Sequence, residues 1–144
     1  MTEIQFHFNV PDRLAYACRL LRKAMRKVAG ISVLGDVGDM ERLNRQLWSF
    51  ESAEFLPHVF VRGDAAVAPA LVRTPLWLLT DLAQLPAEHK VLVNLGAAPV
   101  RSVERFDRLV EIVSTDANDR DAARLRWRHY AGLGLPIQKF EVPA

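Results

Sequence analysis

The chain has 144 residues, 50% apolar and 25% charged, with a formal net charge of +2 and a pI near 9.0. That length suits one hydrophobic core, expected as a single domain over 1–144, and the composition excludes a disordered or disulfide-stapled chain. So small a net charge demands no nucleic-acid partner, and any electropositive site must come from local clustering.

The lone cysteine, Cys18, cannot close an internal disulfide and has no neighbour at metal-ligand spacing, which points to a reducing compartment. No apolar run approaches the roughly 18 residues of a membrane span. Met1 to Gln5 carry neither the basic nor the apolar region of an export signal, so a cytoplasmic location with no membrane attachment is expected.

Residues 3–10 alternate apolar and polar, with Ile4, Phe6, Phe8 and Val10 on one face of a half-buried strand. Pro11 and Asp12 open a helix whose apolar stripe is Leu14, Ala17, Cys18, Leu21, Met25 and Val28, with Gly30 where a C-terminal cap belongs. Cys18 reads as a small buried hydrophobe on that stripe. Arg19, Arg22, Lys23, Arg26 and Lys27 form the other face, which lacks any aromatic and reads as a solvated surface.

A short strand over 31–34 and a turn over 35–39 precede a helix over 40–50, with Leu43, Leu47 and Phe50 inward. The stretch 51–75 has no clear period. Strands are expected at 76–79, 91–95 and 109–113, then a helix capped by Asn118 or Asp119 that runs to Leu133 and stops at Gly132 and Gly134. An edge strand at 137–142 closes the chain. Strands alternating with helices predict an α/β domain of three layers, a largely parallel sheet flanked by helices.

Chemistry is sparse. There is no Walker loop, no dinucleotide fingerprint and no serine elbow, and His7, His58, His89 and His129 are not at zinc-ligand spacing. Asp36 and Asp39 would repel a phosphate at the 35–39 turn. Asp116, Asp119 and Asp121 suit the start of a helix, where acids meet the dipole; capping is preferred there over magnesium binding. No cofactor, metal or catalytic residue is expected.

The last helix is more informative. Arg120, Arg124 and Arg128 stack four residues apart on one face, and Trp127 borders it. Arg126 adds charge on another face, and Asp121 alone offsets the four arginines. Guanidinium forks beside an indole suit an acidic peptide that ends in a hydrophobic residue and a free carboxylate. They equally suit single-stranded nucleic acid, with phosphates on the arginines and a base stacked on Trp127. Spacing does not separate the two.

Three segments, taken in order, resemble the chi subunit family of the DNA polymerase III holoenzyme. They are Leu43-x-x-x-Leu47-Trp48 with Phe55-Leu56-Pro57-His58; Val91-Leu92-Val93-Asn94-Leu95; and Val110-Glu111-Ile112-Val113 with Ala123-Arg124-x-Arg126-Trp127-x-x-Tyr130. The resemblance implies a nucleotide-binding-like fold without a phosphate loop and an adaptor rather than an enzyme. Its implied partners are the psi subunit of the clamp loader and the acidic C-terminal tail of single-stranded DNA-binding protein, with nucleic acid met mostly indirectly. The implied tail-binding positions fall on Trp48, Phe55, Val113, Arg124 and Trp127, with Arg128 nearby and Arg120 in the same row.

Overall fold

A computed structural model describes residues 1–49, 56–62 and 67–143. The elements in chain order are β1 (Glu3–Val10), α1 (Arg13–Ala24), β2 (Ile31–Leu34), α2 (Val37–Ser49), β3 (His58–Val61), β4 (Leu76–Leu79), β5 (Val91–Asn94), β6 (Arg108–Ser114), α3 (Ala117–Gly132) and β7 (Ile137–Glu141). The strands form one sheet in the order β3-β4-β2-β5-β6-β1-β7, and every pairing is parallel. The expected α/β layering is therefore present. β3 lies in the stretch without readable period, and the remaining strands fall within a residue or two of their expected positions.

A parallel sheet covered on both faces needs apolar residues pointing both ways. β6 shows this. Val110 and Ile112 join Leu14, Leu21, Leu43 and Val93 on the face covered by α1 and α2. Leu109 and Val113 point the other way, packing with Ile4, Phe6, Ala123 and Tyr130 beneath α3. Cys18 is fully buried in the first of these cores, and burial pushes its thiol up to about 11, as expected of an inert core residue.

Each helix begins on an aspartate that satisfies an otherwise orphaned backbone donor. Ala15 N–H donates to Asp12 Oδ1 at 3.1 Å, Asp39 N–H to Asp36 Oδ1 at 2.7 Å, and Asp119 N–H to Asp116 Oδ2 at 3.1 Å. Asp116 and Asp119 thus serve the helix start, and the described residues hold no group of three or more potential metal ligands. Among the described residues, no helix is long and apolar enough to cross a membrane.

Gly30 is not the cap of α1. The helix stops at Ala24 with Met25 in its cap position, and Gly30 follows a further turn. Its small size serves packing, since a Cβ there would lie 2.5 Å from the His89 ring. Gly134, by contrast, does take the left-handed conformation after α3, with φ 75°.

Burial holds the pKa of both His89 and His7 below the usual histidine value of 6.5. Both stay neutral in the fold while the unfolded chain protonates, so the unfolded state binds more protons below that value. The contribution of these two histidines to stability should therefore be flat from pH 7 upward and fall as the pH drops from 6.5 toward the lowered native values, by up to ~1.4 kcal/mol per unit per histidine. Urea midpoints at pH 7.5 and 5.5 measure this, and His89→Gln should lessen the drop.

Candidate functional site

The sheet topology brings distant segments together at the carboxyl ends of β6, β1 and β7. There α3 crosses the sheet and leaves a groove of about 490 Å³. The floor is apolar: Phe6, Phe8, Val113, Ala123 and Trp127. Val113 is 5% exposed, and the half-buried Trp127 packs on Phe6 with ring centroids 5.0 Å apart. The helical period does the rest. Asp119, Ala123, Arg126 and Tyr130 point toward the sheet, which leaves Arg120, Arg124 and Arg128 along the groove's rim.

Lys139 completes the rim from β7, its Nζ 5.4 Å from the centre of the Trp127 ring. The opposing charges at the rim are Glu141 and Asp121. Arg124 Nη1 donates to Asp121 Oδ1 at 2.6 Å, but these side chains are 62% and 69% exposed, so water screens the pair. Arg120 and Arg128 have no carboxylate partner among the described residues. The groove offers a positive rim over an aromatic floor. Such a surface can hold a ligand that is anionic at one end and apolar at the other.

Beneath it lies an ion pair that the sequence reading did not place. Arg126 belongs to the core rather than to a charged outer face: it is 1% exposed, and its Nε donates to Glu111 Oε1 at 2.8 Å. Glu111 Oε2 accepts from Tyr130 Oη at 2.6 Å and from Asn94 Nδ2 at 2.9 Å. The network also grips the loop after β5. Val100 N–H donates to Tyr130 Oη, Arg126 Nη1 to the Ala97 carbonyl, Asn94 Nδ2 to the Ala98 carbonyl, and Gly96 N–H to Asn94 Oδ1. Burial pushes the Glu111 carboxyl above its usual range, opposed by the Arg126 guanidinium and the three donors. α3 is thereby pinned in rotation and height, which sets where the rim arginines stand.

Of the expected site residues, the structure brings Arg120, Arg124, Arg128, Trp127 and Val113 to one groove. Trp48 is not among them. It ends α2, on the opposite face of the sheet, and packs on His58 at the amino end of the edge strand β3, with ring centroids 4.8 Å apart. Because α2 leads from β2 out to β3, its last turn is carried to the far edge of the sheet. Phe55 lies outside the described residues. Phe6, Phe8 and Lys139 were missed. Their alternation along β1 and β7 was readable, but not that β7 pairs with β1 beside α3.

Residues 1–138 match the family described as DNA polymerase III chi subunit, HolC. The chain is 32% identical over 152 aligned positions to the DNA polymerase III subunit chi of Pseudomonas aeruginosa, covering 99% of each protein. Among solved structures it is similar to the C-terminal domain of the DEAD-box protein Dbp5, with a TM-score of 0.67 at 12% identity over 95% of this chain and 89% of that one. The S. cerevisiae Dbp5 C-terminal domain bound to Gle1 and IP6 gives the same TM-score at 10% identity and the same coverage. At such identities the likeness concerns the fold alone. Full-length agreement in sequence carries the assignment, and the chain belongs to the DNA polymerase III chi subunit family.

Proposed function

We propose that this chain is a non-catalytic adaptor in the DNA polymerase III holoenzyme, whose α3 groove holds the acidic C-terminal tail of single-stranded DNA-binding protein while psi joins it to the clamp loader. The supporting observation is the pairing of Arg124, Arg128 and Lys139 with the Trp127 and Phe6 floor. The apolar terminal side chain seats against the indole, and the terminal carboxylate meets the Arg124 and Arg128 forks. Acidic residues upstream run along Arg120. An adaptor also needs faces that do not overlap. Trp48, 61% exposed, sits on the other sheet face and at the far edge, so a partner docking there leaves the groove open.

Fluorescence anisotropy with a labelled tail peptide tests the assignment. Arg124→Ala should weaken binding about tenfold or more, the loss of a charge-assisted contact, without lowering the unfolding midpoint. Amidating the peptide's terminus should cost a similar factor, and added salt should weaken the wild-type complex. Equal affinity for wild type and Arg124→Ala would sink the assignment.

A further inference from the structure

A second groove, of about 620 Å³, opens on the opposite face of the sheet, between α1 and the strands β5, β6, β1 and β7, over an apolar floor of Val91, Val93 and Val110. Its walls differ from the first. Arg19 and Lys23 stand one turn apart on α1 and Lys27 follows in the turn after the helix, each exposed, and Arg108 faces them from the start of β6. Both α1 and the sheet supply rings beside these cations. Phe140 of β7, 41% exposed, stacks on His7 of β1 with centroids 4.8 Å apart and planes at 28°. Tyr16 of α1 bonds His7 through its hydroxyl and lies under Arg19, 6.0 Å from the guanidinium carbon. One carboxylate stands at the rim, Glu3, which lies 4.0 Å from Arg108 and accepts from Gln5 Nε2 at 2.9 Å.

We infer that this groove binds single-stranded DNA, with phosphates along Arg19, Lys23 and Lys27 and unstacked bases on Phe140 and Tyr16. A row of cations fits a backbone of regularly spaced charge, and accessible ring faces fit bases that no duplex occupies. An acidic peptide would use the cations but would leave the rings without a stacking partner. Duplex DNA would present phosphates and keep its bases from the rings. A chain held on the tail of a strand-coating protein meets free strand at high local concentration, so modest affinity suffices. That use rests on the tail-binding proposal; the groove's own affinity does not.

The test uses the full chain and a labelled 20-residue oligo-dT at low salt, read by anisotropy. Binding should weaken with salt at a log–log slope of about −2, as expected for some three phosphates. The Lys23→Glu/Lys27→Glu variant should bind at least tenfold more weakly, and both side chains are exposed, so the fold is retained. Phe140→Ala should weaken oligo-dT severalfold and leave an abasic strand of equal length unaffected. Arg124→Ala/Arg128→Ala should bind oligo-dT as wild type does, whether or not it still binds the tail peptide; this separates the two proposals. The inference falls if oligo-dT does not bind, or if binding survives the α1 charge reversal. It also falls if the strand is lost through the α3 variant instead, or if duplex DNA, oligo-U or an acidic peptide binds better than oligo-dT.

Discussion

Glu111→Leu should destabilise the protein by roughly 3–5 kcal/mol, enough to leave a marginally stable domain largely unfolded at 37 °C. The size follows from what is left behind. Arg126 stays 1% exposed with its carboxylate partner gone, and a guanidinium cannot shed its charge at any accessible pH. Tyr130 Oη and Asn94 Nδ2 lose an acceptor in the same step. Arg126→Met should cost less, because the stranded Glu111 carboxyl, already raised by burial, can take up a proton.

The sign of the pH effect separates the two variants. In Arg126→Met the native carboxyl titrates well above its unfolded value, so the fold holds a proton that the unfolded chain has released. Its deficit relative to wild type should shrink as the pH falls from 8 toward 5. In Glu111→Leu no such recovery is expected. Urea unfolding of both variants and of Glu111→Leu/Arg126→Met across that range measures this, and the double variant should be more stable than Glu111→Leu alone. A Glu111→Leu protein as stable as wild type would show that the network does not hold α3.

That network also explains which parts of the molecule could be read from the chain. Strand positions and helix stripes followed from period, because these are local properties, whereas helix starts were less legible: α3 is capped by Asp116 rather than by Asn118 or Asp119, and α2 starts at Val37 rather than at residue 40. β3 was unreadable because, unlike the equally short but almost wholly buried β2, β4 and β5, His58–Val61 is mostly half-buried at a sheet edge and opens on a histidine. Arg126 looked like one more surface cation because its neighbours Arg124 and Arg128 are. The available signal was elsewhere: Glu111 is a lone acid in the apolar run from Leu109 to Val113, and a buried carboxylate demands a partner. Arg126 shares the 119-123-126-130 stripe with Ala123 and Tyr130, so an inward arginine was the one counter-charge at the right period.

The segments that mark the family divide the same way. Asn94, Glu111, Arg126 and Tyr130 build the buried clamp, whereas Arg124 and Trp127 face the groove. The matched segments therefore hold two things, a support and the surface it supports. Trp48 illustrates the limit of carrying positions over by motif: adjacency in a list of matched residues says nothing of adjacency across a seven-stranded sheet.

The rim of the α3 groove should respond to charge in both directions. Arg124→Glu/Arg128→Glu replaces two cations by two anions where the proposed carboxylate sits, and tail-peptide binding should fall by at least 100-fold, beyond the loss from alanine at Arg124 alone. Asp121→Asn should act oppositely. Asp121 competes with the ligand for Arg124 through its 2.6 Å hydrogen bond, so removing its charge frees the guanidinium and should tighten binding severalfold. Both gain and loss should diminish together as salt is raised, because every group involved is exposed. A variant with improved affinity is hard to produce by damaging a fold. A tighter complex with Asp121→Asn, measured beside a lost complex with Arg124→Glu/Arg128→Glu, would locate the contact at Arg124 itself, and weaker binding in Asp121→Asn would move the carboxylate elsewhere on the rim.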